Sequence, residues 1–340
     1  MTLEQVARHA RVSPATVSRV LNNTCFVSSG VRDRVIKAVE ELRYCPNLHA
    51  RGLAGSSRSI GVIVSNFENP FFVEIYKAIE MGAGRAGFDV IMADTGYSRQ
   101  RLTDSVRSMI GRRVAGLAAI VSEMDPRLIG ELDEYRIPTV FYDAGAPGSS
   151  MANIRVKHRR GMEELIAYLY NLGHRRMGFV GHHATSGPAN ERQRAVLDAV
   201  GCYSGLRVEA AADEDNFEGG RRAARMVLAV DSAVTVLICA NDVMALGSLR
   251  ELRDRGLRVP HDISVAGFDN VKLAQFSDPP LTSVHISREE IGRIVCDCLF
   301  GPANLLKREF VIDPELVLRD STGPAPRSCS YTRVNNNDQD

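Results

Sequence analysis

From Ser59 onward the chain alternates apolar runs with amphipathic stretches. Ile60–Val64, Val90–Ala93, Leu117–Val121 and Thr139–Tyr142 are continuous apolar segments separated by helical patterns over Pro70–Ala86 and Leu102–Arg112. The rhythm then restarts with helix Gly161–Leu172, strand Met177–Gly181, helix Asn190–Val200 and strand Arg207–Ala210. It continues through helix Gly219–Val230, strand Val236–Ala240, helix Val243–Arg255 and strand Ile263–Ala266. Continuous apolar strands bounded by helices predict parallel sheets covered on both faces. Two successive runs predict two similar α/β lobes.

The first 58 residues have a different texture. Leu3, Val6, Ala7 and Ala10 recur at helical spacing and predict a short first helix. Only Arg11 and Val12 precede Ser13, a favoured N-cap, and Pro14, which fits the first helical position. Val17, Val20 and Leu21 form the buried stripe of this second helix, while Pro14, Ala15, Thr16, Ser18 and Arg19 occupy the other side. A short, polar and cationic face of this kind suits a DNA major groove, where arginine can fork onto guanine. Two short helices joined so tightly read as helix-turn-helix, with an ordinary helical hairpin as the alternative. A third helix is predicted from about Val31 to Arg43, stopped by Tyr44-Cys45-Pro46. Asn47–Ala54 follows as a weak helix, damaged by Gly52 and expected to order only against a partner.

Charge sharpens this division. Residues 1–58 carry nine Lys/Arg and four Asp/Glu, hence +5, and with the whole chain at +1 the remainder sums to −4. A basic head on a mildly acidic body fits a small module that meets phosphates. At 340 residues and 44% hydrophobic, the chain can bury a large core behind that head. The polar N-terminus does not read as a signal peptide and no apolar run approaches membrane-spanning length, so a cytoplasmic protein is expected. Seven scattered cysteines, without pairs of pairs, are expected as reduced thiols, and Cys296-Asp297-Cys298 as part of a structural helix.

Gly82-Ala83-Gly84-Arg85-Ala86-Gly87 mimics a dinucleotide-binding fingerprint. Its glycines follow a helix and precede a strand, the reverse of what a pyrophosphate site needs, so helix capping and a tight turn are expected. His182-His183 follows a strand and reads as polar loop. No P-loop, metal set or Ser–His–Asp arrangement stands out, and neither a cofactor nor an enzymatic activity is expected.

Eight segments in order resemble the lactose/galactose/purine-repressor family of bacterial transcription regulators, across about residues 2–322. They are Thr16–Asn22, Tyr44–Asn47, Ala50–Ala54, Asn69–Phe72, Leu172–Arg176, Ala240–Gly247, Val265–Asn270 and Pro279–Val284. The resemblance implies a helix-turn-helix head (1–46), a hinge helix and linker (47–58) and a two-lobed core like the type I periplasmic sugar-binding proteins (59–322). A disordered tail is expected over 323–340, where Pro, Ser and Asn dominate. The resemblance further implies that Pro14, Ala15 and Arg19 reach base edges while Thr16, Ser18 and Asn22 hold phosphates. In the hinge, Asn47, Ala50 and Leu53 would meet DNA, with Leu53 wedging a base step. A small-molecule effector, a sugar or derivative, would lie between the lobes against Phe71, Phe72, Arg192, Asn241 and Asp269. The partners implied are a palindromic double-stranded operator and a second copy of the chain, as a homodimer or a dimer of dimers.

Two departures from the family pattern stand out. Lys157-His158-Arg159-Arg160 replaces an acidic position with a basic cluster, and around Asp215–Gly220 the aromatic that often stacks on the ligand in the family falls at Asp215, with Phe217 displaced, which reads either as an acidic pocket wall or as a local shift of the alignment. Two rival classes share parts of this pattern. A periplasmic-type sugar-binding protein would need a signal peptide and no basic head, and a cytoplasmic α/β enzyme with an accessory DNA-binding head would need a catalytic constellation.

Overall fold

In the computed structural model, which describes residues 3–22, 27–42, 58–144, 150–183 and 187–326, the chain forms two units, Met1–Ser57 and Arg58–Asp340. The head is built from α1 (Leu3–Ala10), α2 (Pro14–Asn22) and α3 (Ser29–Glu41). Ser13 Oγ accepts the Thr16 amide at 3.2 Å, the N-cap that the sequence predicts. Arg11, at φ 53°, turns the chain between the first two helices. Val6, Ala7, Ala10, Val17, Val20, Val35 and Ala38 close one small core. Pro14, Ala15 and Arg19 are exposed on the opposite side of α2, with Thr16 and Ser18 half-buried. Asn47, Ala50 and Leu53 lie outside the described residues, as does the side chain of Asn22.

The larger unit holds two six-stranded sheets. The first lobe runs β1 (Ser59–Val64), α4 (Pro70–Ala86), β2 (Asp89–Asp94), α5 (Arg99–Gly111), β3 (Leu117–Ile120), α6 (Pro126–Glu134), β4 (Thr139–Tyr142) and β5 (Met151–Val156). The second runs α7 (His158–Asn171), β6 (Arg176–His182), α8 (Gly187–Ala199), β7 (Arg207–Asp213), α9 (Phe217–Val230), β8 (Val236–Cys239), α10 (Asp242–Asp254), β9 (Ser264–Asp269) and β10 (Thr282–His285). The chain then returns: α11 (Arg288–Phe300) packs on α4, with Gly292 against Ala78, and β11 (Glu309–Ile312) joins the first sheet beside β5. It crosses back once more to β12 (Glu315–Val317), the antiparallel edge of the second sheet. Strand orders are β11-β5-β4-β3-β1-β2 and β12-β10-β9-β8-β6-β7, so three crossings join the lobes.

The two similar parallel lobes are as predicted, but each sheet is completed by strands that the apolar pattern does not reveal. β5 carries Asn153 and Arg155, β10 is Thr-Ser-Val-His, and β12 has three residues, so tertiary pairing rather than local pattern makes them strands. Gly82–Gly87 ends α4 and caps it: Gly87 sits at φ 76°, and its amide turns back to Ala83 and Gly84. Cys296 and Cys298 lie on α11. Order continues past residue 322, where the tail is expected to start. The Gly323 amide donates to Ser264 Oγ at 3.1 Å and the Ala325 amide to the Leu172 carbonyl at 2.9 Å; residues 327–340 lie outside the described ones.

Gly220 and Gly247 let α9 and α10 meet backbone to backbone; a Cβ on Gly247 would run into the Phe217 carbonyl, and one on Gly220 into that of Met244. Backbone cannot yield as a side chain can. Gly247→Ala is therefore expected to lower core stability by about 1–3 kcal/mol in urea unfolding. Gly84→Ala, on α4 with nothing within 4 Å of the new methyl, is the contrasting variant. It is expected to be neutral or to stabilise by up to about 1 kcal/mol through helix propensity.

Candidate functional site: an interlobe cleft

Parallel strands end with exposed carbonyls and the starts of the following helices, and both sheets aim those ends at each other. Asn69 caps α4 by accepting the Phe71 amide at 3.0 Å, which fixes Phe71 and Phe72 at the first turn, after Pro70. Asn241 caps α10 in the same way, accepting the Met244 amide at 3.0 Å. Asp269 is the last residue of β9 and adopts φ 99°, a conformation costing a non-glycine residue of order 1–3 kcal/mol. Phe71, Phe72, Arg192, Asn241 and Asp269 all line one cleft between the lobes. The two phenylalanines also belong to the apolar core, edge to face at 5.4 Å, so packing and lining coincide there.

Arg192 organises the cleft from α8. Its Nη2 donates to Asp269 Oδ1 at 3.0 Å, Nη1 to the Ala240 carbonyl at 2.6 Å and Nε to His158 Nδ1 at 3.3 Å. The guanidinium stacks 3.9 Å from the centre of the Phe268 ring. Because Nδ1 of His158 accepts, its Nε2 carries the proton and donates to Asp143 Oδ2 at 2.9 Å. Burial, then the Arg192 charge, lowers the His158 pKa and keeps the ring neutral. Burial pushes the Asp269 carboxyl up to about 6 against the pull of Arg192, with Asp215 adding to the rise and Arg288 opposing it. Arg288 holds the Asp269 carbonyl at 2.6 Å and the Asn270 carbonyl at 2.9 Å, and pairs with Glu74 of α4 at 3.1 Å.

Of the basic cluster, only His158 turns inward. Lys157 and Arg160 pair with Asp313, and Arg159 with Asp198 and Glu163, at the surface. Asp215 is buried on the cleft wall, whereas Phe217 is 42% exposed at the start of α9 and stays outside. Asp215 Oδ1 accepts from Asn241 Nδ2 at 2.5 Å and Oδ2 from the Tyr97 hydroxyl, while its carbonyl accepts from Asn66 Nδ2 at 3.0 Å. Tyr97 and Asn66 belong to the first lobe, so Asp215 ties the lobes together. Tyr97, Tyr142 and His182 also line the cleft. His182, expected as polar loop, ends β6 beside the Tyr97 ring at 5.8 Å. Position at a strand's carboxyl end was the available signal for these three. The cavity measures about 30 Å³, far below the roughly 300–1,000 Å³ of small-molecule pockets, so the cleft is closed in this arrangement of the lobes.

Comparison with known proteins places this architecture. Residues 2–47 match the model for bacterial regulatory proteins of the lacI family, and residues 166–322 that for a periplasmic binding protein-like domain. The chain is 33% identical over 327 residues to the HTH-type transcriptional repressor PurR of Vibrio atlanticus, covering 94% of this chain and 98% of that one. It is 34% identical over 331 residues to the PurR repressor of Vibrio vulnificus, with the same coverage. The chain belongs to the lacI family. Among solved structures, a LacI-family regulator from Silicibacter pomeroyi superimposes with a TM-score of 0.81 at 27% identity over 95% of this chain and 99% of that one. The lac repressor dimer bound to operator and the anti-inducer ONPF gives 0.78 at 27% over the same shares. The regulator CelR in complex with cellobiose gives 0.67 at 26% over 94% and 99%. As a lacI-family member, the chain is a DNA-binding transcription regulator with a two-lobed, periplasmic-binding-like core.

Behind the cleft, Asp242 is fully buried, accepting from Ser283 Oγ at 2.5 Å and from the Val271 amide at 2.7 Å. Burial, reinforced by Asp269, pushes its carboxyl up to about 8. A folded-state pKa raised above the unfolded value of about 3.9 means full stabilisation below pH ~4, lost progressively as pH rises through about 8. Melting temperatures of the wild type are accordingly expected to fall from pH 5 to pH 8 more steeply than those of Asp242→Asn. Parallel curves would remove Asp242 as the source.

Proposed function

We propose that the chain is an operator-binding repressor whose DNA affinity is set by a sugar or sugar derivative held between the two core lobes. The observation that carries this reading is the convergence of Phe71, Phe72, Arg192, Asn241 and Asp269 on one cleft, from two helices, one helix N-cap and one strand end. Carboxylate, amide and guanidinium side by side can satisfy several hydroxyls at once, and the flanking rings can cover apolar ring faces. The cellobiose complex of a structural relative supports the sugar reading.

The head contributes the other half of the switch. The exposed face of α2 offers Pro14, Ala15 and Arg19 to base edges, with Thr16, Ser18 and Asn22 on phosphates; base contacts specify and phosphate contacts set register. Asn47, Ala50 and Leu53 complete the DNA contacts from the hinge, Leu53 as the wedge. Two copies bind a palindromic operator in the cytoplasm, as the lac repressor dimer on its operator suggests. A ligand that favours one interlobe arrangement shifts the population toward it, and with it the separation of the paired hinges.

Both halves can be tested on the full-length chain. Arg19→Ala is expected to cost about 1–3 kcal/mol against the cognate operator and to relax discrimination at one base position. Unchanged discrimination in a gel-shift titration removes Arg19 from base reading. Asp269→Asn, which keeps an acceptor for Arg192, is expected to retain operator binding yet lose at least about tenfold, or 1.4 kcal/mol, in sugar affinity by calorimetry. Intact sugar affinity in that variant places the effector elsewhere.

A further inference from the structure

Asp215 is a buried carboxylate on the cleft wall, and its surroundings say what its charge does there. This inference rests on the reading of the cleft as the effector site. The wall it forms is acidic: Asp215 is 8% exposed and Asp269 2%. Glu123 lies just behind Ser122, held by the Ser65 hydroxyl at 2.7 Å and by Thr95. Asp143 closes the His158 side. Against these carboxylates the cleft sets Arg192, three of whose N–H groups already serve His158, Ala240 and Asp269, and Arg288, which faces Glu74 and main-chain carbonyls. His158 and His182 are held neutral by burial.

A second observation points to a ligand. The Tyr142 hydroxyl, on a side chain only 3% exposed, lines the same cleft and has no hydrogen-bond partner among the described residues. Burying such a group unpaired is costly. Burial keeps it protonated, so it offers one donor to an acceptor in the cleft. A sugar hydroxyl fits both sides, because its oxygen can accept from Tyr142 while its proton goes to Asp215 or Asp269. A phosphate or carboxylate could accept from Tyr142 but would meet the acidic wall as a like charge, and at effective dielectric constants near 20 such proximity is worth tenfold or more in affinity.

We infer that Asp215 is a specificity-determining residue that selects a polyhydroxyl effector without acidic groups and rejects its phosphorylated counterpart. The same carboxylate links Tyr97 and Asn66 of the first lobe to Asn241 of the second, so selection and lobe closure use one side chain.

The test is calorimetry and thermal shift on the full-length protein with D-ribose, D-glucose, D-glucosamine and cellobiose, each monosaccharide beside its phosphate ester. At least one unphosphorylated compound is expected to bind, its ester at least tenfold more weakly. Asp215→Asn, which keeps the size and some hydrogen bonding but removes the charge, is expected to narrow that gap about tenfold. If that variant does not fold, Asp215→Phe serves for the same comparison. An ester that binds as tightly as its parent, a gap unchanged in both variants, or silence from every unphosphorylated compound overturns the inference. Binding of any probe that survives Asp269→Asn instead overturns the reading of the cleft itself, whatever the charge preference.

Discussion

The buried pair between Arg192 and Asp269 is the interaction around which the core is arranged. An isolated carboxylate or guanidinium at these depths would be prohibitively costly, and a buried pair is tolerable only when its remaining hydrogen-bonding groups are satisfied. Here the Arg192 guanidinium is satisfied by the Ala240 carbonyl at the end of β8 and by His158 at the start of α7 and stacks on the Phe268 ring, while Arg288 at the start of α11 holds the Asp269 main-chain carbonyl. The positive φ of Asp269 is held by the same contacts, since Arg192 takes its side chain and Arg288 its carbonyl. Strain of this kind persists only where the surroundings over-determine it.

The pair also sits midway along a continuous polar line. Asp143 of the first lobe meets His158, His158 meets Arg192, and Arg192 meets Asp269 in the second lobe. Arg288 then carries the line from Asp269 back to Glu74 on α4 of the first lobe. The line therefore starts and ends in one lobe and passes through the other. Moving the lobes apart must rearrange its members together, because a half-satisfied buried network is costlier than either complete arrangement.

Much of this was legible in the sequence, for identifiable reasons. β1, β3 and β8 are buried on both faces and so read as unbroken apolar runs, and Ser13 announces α2 because its hydroxyl has a local job. The five cleft residues Phe71, Phe72, Arg192, Asn241 and Asp269 were legible only through a family pattern, since they lie up to two hundred residues apart. β5, β10 and β12 were not legible, because Asn153, Arg155, Thr282 and Ser283 are polar and their strand state is imposed by neighbours. Tyr97, Tyr142 and His182 escaped for a related reason: a place at or just past a strand's carboxyl end is the one local mark they carry, and only the convergence of those ends makes them neighbours.

The basic cluster at Lys157–Arg160 shows why charge in a sequence is a poor guide to where charge acts. Lys157 and Arg160 both pair with Asp313, so the first and third crossings between lobes are strapped side by side at the surface. Exposed pairs of this type contribute about 0–1 kcal/mol and leave the crossing strands free to bend. His158, the least charged member of the four, is the one built into the buried line. The crossings thus combine exposed ion pairs at the surface with a buried link from Asp143 through His158 to Arg192.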